Sequence, residues 1–305
     1  FLSVNGGNAY STTTSFAVSH VDYTLDAGGS GVASSALTVA SAALANNACG
    51  SFGSPTPVSD GTFNGSDATC YRFSLTGMDN VGNVATTTFD VKVDTTAPSQ
   101  PTVTFANLSS GNTHDDGAGT LYYRPSAGGT FRVDAASTDA ESGVQGYTFS
   151  PLSGFASTNQ SGASLNVTFN GSSSGSGAFT VHATNNAGLD SSDAGYNVTA
   201  DSTAPSGGSL TVNGTAATGA GSSSYLTSGG SVAVATTPYS DGGSGLASQV
   251  VTVQQATLSN DSCGAYGGAS VVGGASYGVA NGTCYLFTIT ATDNVGNVTT
   301  AHTTV

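Results

Sequence analysis

The sequence predicts an all-β chain built as three tandem two-layer β-sandwich modules set end to end. Three observations carry that prediction: an internal repeat, a duplicated proline-containing linker, and a period of two in the apolar residues.

The repeat is direct. Residues 30–91 align without a gap to residues 244–305, at an offset of 214. The first copy opens SGVASSALTVASAALANNACGSFG and the second SGLASQVVTVQQATLSNDSCGAYG; they continue to CYRFSLTGMDNVGNV from Cys70 and CYLFTITATDNVGNV from Cys284. Upstream, LSVNG at residues 2–6 matches LTVNG at residues 210–214. Self-similarity of this kind marks a chain assembled from copies of one structural unit. The stretch between the copies is a diverged relative. It has no cysteine, but keeps Asp139-Ala-Glu-Ser-Gly-Val144 and places ATNNAG at residues 183–188 where the others have DNVGN.

The linker appears twice, as VDTTAPS at residues 93–99 and ADSTAPS at residues 200–206. Proline cannot donate to a central sheet ladder and stiffens the entry to the next strand. The modules are therefore placed at 1–96, 97–203 and 204–305. Phe1 falls just past where a linker should end and Val305 just before the next should begin. The expectation is a longer parent protein with a super-repeat of two modules.

Within the modules the apolar residues alternate. Tyr71, Phe73 and Leu75 face one way and Arg72 and Ser74 the other; Phe89, Val91 and Val93 oppose Thr88, Asp90 and Lys92. This period predicts half-buried antiparallel strands. Between them Asp79-Asn80-Val81-Gly82-Asn83 reads as a turn, with Asn and Gly expected to supply positive φ. The third module repeats the pattern with Tyr285, Phe287, Ile289 and the turn 293–297, and the second offers Phe131, Val133, Ala135, Phe179, Val181 and Ala183. No segment sustains a 3.6-residue period, so no helix is predicted.

Composition narrows the functional classes. Four Lys and Arg residues stand against 18 Asp and Glu, a net charge of −14. That leaves no electrostatic footprint for nucleic acid or an anionic membrane surface. No run of ~18 apolar residues is present, so no membrane insertion is expected from this segment. Forty-three glycines and a 37% hydrophobic share suit several small cores rather than a single large one.

In D-x-GGSGL, the paired CG…CY segments, DNVGN and V-D-x-T-A-P, the chain resembles the Ig-like repeats found in tandem in large surface-exposed bacterial proteins. The resemblance covers modules one and three almost fully, and module two mainly at its linker and turns. It implies a seven-stranded Ig-like sandwich and a scaffold or adhesive role, with no catalytic residues to carry over.

The cysteines form two pairs of identical spacing, Cys49/Cys70 and Cys263/Cys284, 21 residues apart. An even count duplicated in two modules predicts intradomain disulfides and an oxidising, extracellular or cell-surface location. The alternative, a cysteine metal site, needs four clustered ligands, and each module has two. The short Gly- and Pro-bearing interval distinguishes the pair from the inter-sheet bridge of antibody domains.

In an Ig-like sandwich the incoming linker meets the end that carries the B–C and F–G loops. This would bring Asp94 near Asp139 and Glu141, and Asp201 near Asp241 and Asp293. Converging carboxylates and carbonyls are what calcium takes, about six to eight oxygens. The competing expectation is that these Asp residues cap turns through their own side chains. No other cofactor is expected.

Several features are set aside. Sequons at Asn64, Asn107, Asn159, Asn166, Asn170, Asn197, Asn213, Asn260, Asn281 and Asn297 allow surface glycans, but a chain this rich in Asn, Ser and Thr generates them by chance. Gly171-Ser-Ser-Ser-Gly175 matches G-x-S-x-G without the strand-turn-helix a nucleophile elbow needs. His114 reads as part of a solvated loop, and His182 and His302 as sheet-face residues. No catalytic triad or zinc set can be assembled. The sequence thus describes a non-enzymatic structural repeat segment of an extracellular bacterial surface protein or filament, acting as a rigid rod or fibre subunit. Its expected partners are neighbouring modules or copies of the same protein. An adhesin or carbohydrate-binding module, or a spacer attached to an enzyme, is the alternative, and strand exchange between subunits is a second route to a fibre.

Overall fold

The computed structural model describes residues 1–305 throughout, and its regular structure is β apart from two single-turn 3-10 helices, Asn5–Gly7 and Pro125–Ala127. In module one, Leu2–Val4, Ser15–His20 and Gly61–Asn64 form one antiparallel sheet. The facing sheet runs Tyr10–Ser11, Val84–Val93, Thr69–Asp79, Val32–Ala45, Ala48–Cys49. Tyr10–Ser11 lies parallel to Val84–Val93, so the chain's first segment changes sheets before it turns back. Leu2–Val4 pairs with Ser15–His20 inside its own module.

The same plan recurs. Module two packs Thr102–Ala106, Gly129–Ala136, Ser164–Phe169 and Ser157–Ser161 against Thr113–Asp115, Thr120–Tyr123, Ala194–Ala200, Gly177–Asn185 and Val144–Phe149, and Thr120–Tyr123 is again parallel to the last strand. Module three packs Thr215–Ala216, Ser209–Val212, Gly230–Thr237 and Ser276–Val279 against Ser262–Cys263, Leu246–Ser259, Thr283–Asp293 and Val298–Thr304, with a parallel bridge between Ser223 and Thr304. Two antiparallel sheets closed by an early strand that runs parallel to the last are an Ig-like sandwich, in tandem.

Each module has its own core, with no buried residue shared. Phe73, Leu75, Val91 and Val93 fill the first, Tyr123, Phe131, Phe169 and Val181 the second, and Phe287, Ile289, Leu210 and Val212 the third. These are the inward positions of alternating strands, where successive side chains point to opposite faces. In modules one and three a tyrosine at the start of the penultimate strand ties down the preceding turn. Tyr71 Oη accepts from the Ser66 N–H at 2.8 Å, and Tyr285 Oη from Ala280 N–H at 2.8 Å.

The DNVGN and SG elements form one device. The Asn80 side chain donates to the carbonyls of Ser30 (2.8 Å) and Gly31 (3.0 Å), Asn186 to those of Ser142 and Gly143, and Asn294 to those of Ser244 and Gly245. Gly31, Gly143 and Gly245 have φ of 85°, 77° and 82°, which a side chain rarely tolerates. A register shift follows at once in each module, between Val32 and Ser34, Val144 and Gly146, and Leu246 and Ser248. Such a bulge bends the strand and re-aims its first residues.

Two expectations change. In the turn Asp79–Asn83 only Gly82 has positive φ (94°); the asparagines act through their side chains. His114 is not in a loop: it lies in Thr113–Asp115, paired with Tyr122 in a short hairpin. Alternation around a Gly-rich turn extends over too few residues there to reveal a strand.

Candidate functional site at the module joints

The two linkers use the same chemistry. The backbone N–H of Asp94 still belongs to module one, donating to Ser11 O at 3.0 Å, while its Oδ2 accepts from Ser142 N–H of module two at 3.2 Å. Asp201 repeats this one module on: its N–H donates to Tyr123 O at 2.8 Å and its Oδ2 accepts from Ser244 N–H at 2.8 Å. In both, Oδ1 accepts from the amide two residues later, Thr96 at 3.0 Å and Thr203 at 3.0 Å. The linker aspartate therefore folds its own segment into an Asx turn and pins it to the next module's SG loop. Pro98 and Pro205, four residues on, are buried at the joints. Hydrogen bonds to an ionised acceptor are worth about 1.5–3 kcal/mol each.

At the first joint Asp94, Asp139 and Glu141 bring carboxylate oxygens within 4.8 Å of one another, and at the second Asp201, Asp241 and Asp293 do the same. Asp94, Asp201 and Asp293 are buried. None of the six pairs with a Lys, Arg or His.

The joints differ in what sits among the acids. Asp293 opens the turn of module three, its Oδ1 accepting from Val295 and Asn297 N–H at 3.0 and 2.7 Å. The corresponding turn residue of module two is Asn185. Its Nδ2 donates to Asp94 Oδ2 (3.0 Å), Asp139 Oδ2 (3.1 Å) and Thr96 O (3.0 Å), and its Oδ1 accepts from Leu189 N–H. A neutral amide thus bridges the carboxylates of the first joint. At the second joint a third carboxylate stands in that place. Asp241 Oδ2 and Ser244 Oγ are buried there without a partner. Unpaired oxygens beside three carboxylates fit a hard cation taking oxygen ligands.

Glu141 completes the first joint. Burial, then the negative charges of Asp94, Asp67 and Asp139, push its carboxyl above the usual range. Asp67 behaves oppositely. Burial pulls it up, but hydrogen bonds from Thr95, Thr96 and Ala68 outweigh that and hold it below its ordinary value. Asp67 and Asn185 were not singled out from the sequence. Asn185 was legible as the residue in Asp79's and Asp293's place, whereas Asp67 has no signal beyond its acidity, since module three carries Asn281 at that position.

The cysteines form two bonds, Cys49–Cys70 with Cα atoms 5.7 Å apart and Cys263–Cys284 with Cα atoms 5.8 Å apart. Each links the hairpin after the longest strand to the neighbouring penultimate strand, within one sheet. The decoys stay apart. Ser173 Oγ accepts from Asn170 N–H in a loop followed by a strand, and the ring nitrogens of His20 and His182 face aspartates. No helix is long and apolar enough to cross a membrane. Asn297, within a sequon, gives its amide to Asp293 Oδ2 (2.7 Å) and Asp201 O (3.1 Å).

No family model matches the chain, and no curated protein matches it. Among solved structures it is similar to part of a 1.5-MDa bacterial ice-binding adhesin, at 17% identity and a TM-score of 0.39, covering 99% of this chain and 93% of that one. It is also similar to a tetra-tandem repeat from the extending region of a large adhesion protein (18%, TM-score 0.29, 100% and 72%). Domains A168–A170 of titin are a third such structure (13%, TM-score 0.37, 100% and 96%). Superposition of the whole arrays is loose.

Proposed function

We propose that this chain is a structural repeat segment of an extracellular bacterial surface protein, with modules at 1–96, 97–203 and 204–305 joined into a stiff rod. The observation that carries this is the linker aspartate. Asp94 and Asp201 each hold backbone hydrogen bonds to the module behind and carboxylate hydrogen bonds to the module ahead. A linker that only tethered would need neither. The adhesins among the similar structures support the same reading, as do two disulfides suited to an oxidising compartment. Calcium at the second joint, on Asp201, Asp241 and Asp293, would neutralise the buried charge and lock the angle; at the first, on Asp94, Asp139 and Glu141, Asn185 already hydrogen-bonds two of the carboxylates without changing their charge.

Small-angle scattering of the full chain tests the rod. The native protein should fit one narrow distribution of shapes, and Asp94→Ala with Asp201→Ala should broaden it. Identical curves would remove the mechanical role of the joints. Calorimetric titration with calcium chloride should show saturable binding that Asp241→Asn abolishes; no heat, or heat unchanged by the substitution, rejects the ion at the second joint.

A further inference from the structure

Modules one and three share their sequence, yet each exposes an end that its twin buries. At the far end of module one, the hairpin turn Asn46-Asn47 adopts left-handed backbone, with φ of 47° and 63°. It presents two amides to module two. Asn46 N–H donates to Ala140 O at 2.9 Å and Asn47 N–H to Glu141 O at 2.8 Å. Beside it, Asp67 receives the linker through Thr95 N–H at 2.8 Å and Thr96 Oγ1 at 3.0 Å.

The far end of module three is built the same way. Asn260 and Asp261 hold φ of 49° and 65°. Tyr225 Oη donates to Asp261 Oδ1 at 2.6 Å, as Tyr10 Oη donates to Asn47 Oδ1 at 2.5 Å. The disulfide Cys263–Cys284 sits behind the turn as Cys49–Cys70 does. What differs is the covering. Tyr225 is 69% exposed where Tyr10 is half-buried, and Cys263 is exposed where Cys49 is half-buried. A cavity of about 260 Å³ opens there between Tyr225, Leu226, Leu258, Tyr266 and Asn281, the last in the place of Asp67. The near ends show the converse. Val295 of module three is fully buried in a turn that touches Gly111 and Arg124 of module two, while Val81, its counterpart in module one, is 73% exposed.

We infer that the face formed by Tyr225, Leu226 and the Asn260-Asp261 turn is a docking surface for the front of a domain like module two, which would bind it through its Ala140 and Glu141 carbonyls. The inference rests on the rod reading and specifies its order. One-type and two-type modules alternate, because a two-type front is the surface that closes over this turn at the joint already present. The like charges of Asp261 and Glu141 do not oppose it. In module one Lys92 Nζ donates to Asn47 O at 2.7 Å and to Asn47 Oδ1 at 2.8 Å. Val305 is the counterpart of Val91, so in a chain where a copy of residues 92–203 follows it the copied lysine is placed to reach Asp261 the same way.

The test is amide hydrogen exchange on two proteins, the 305-residue chain and a chain in which a second copy of residues 92–203 follows Val305. In the longer protein the Asn260 and Asp261 amides should exchange about tenfold or more slowly than in the shorter, reaching the protection of Asn46 and Asn47. If they exchange at the same rate in both proteins while Asn46 and Asn47 stay protected, the docking surface is wrong and the rod reading stands. If Asn46 and Asn47 are themselves unprotected, the rod reading fails as well. Concentration-dependent protection of Asn260 and Asp261 in the 305-residue chain alone would overturn the assignment in favour of a second copy of the same chain.

Discussion

The two joints share a linker, a proline and a pinning aspartate, and yet hold charge in different ways. At the first, Asn185 bridges Asp94 and Asp139 with one amide, so buried carboxylates are satisfied by a neutral donor. At the second, Asp293 occupies the equivalent turn position, and Asp241 Oδ2 has no partner. One atom type at one turn position decides whether an amide bridges two of the joint's carboxylates or a further carboxylate stands among them. Burying a charge without a partner costs far more than burying an amide that is fully hydrogen-bonded.

The widest contrast lies between modules with and without a disulfide. Loops of ~20 residues closed by a disulfide contribute roughly 3 kcal/mol by restricting the unfolded chain. Cys49→Ser with Cys70→Ser should lower the melting transition of module one, and Cys263→Ser with Cys284→Ser that of module three, leaving module two unmoved in calorimetry. Equal losses in all three would mean that the modules unfold as one body and that the joints dominate.

Exchanging the joint chemistry sharpens the comparison next. Asn185→Asp places a further carboxylate beside Asp94, Asp139 and Glu141, and should destabilise module two by ~2–3 kcal/mol in chelator, with calcium restoring part of the loss. The reciprocal Asp293→Asn should cost less and remove any response of module three to calcium. Thermal melts in EDTA and in calcium chloride measure both. A neutral Asn185→Asp in EDTA would break the account of the first joint.

The smallest effect is the pH dependence that the first joint contributes. Glu141 has its carboxyl raised in the folded state, so the folded form holds its proton more tightly than the unfolded one. Its contribution is therefore fully present below the unfolded value, near the ordinary 4.5, and is lost as pH rises through the folded value. Asp67 is lowered and runs the other way, contributing above its unfolded value, ordinarily 3.8, and losing that as pH falls through the folded one. Glu141→Gln should accordingly raise stability at pH 7 slightly and flatten the decline above about pH 4.5. Denaturant midpoints across pH 3–8 check this; a native-like slope in the variant would show that other groups set it.

Much of this was legible in the chain itself. A repeat at a fixed offset, strands of period two and twin linkers determine three sandwiches. The cysteine spacing determines two staples, and the positions of Asp94, Asp139, Glu141, Asp201, Asp241 and Asp293 place acids at both joints. These follow from local rules, because strand faces, turns and module order are written in neighbouring residues. The sequence could not assign the burial of Val295 against that of Val81, since both sit in the same DNVGN turn and only a packed neighbour separates them. Nor could it show that Asn185 spans two carboxylates while Asp241 is left with an unpaired oxygen. Those outcomes depend on which side chains arrive within about 3 Å across a joint, a distance set by how whole sheets stack and by nothing local to either segment.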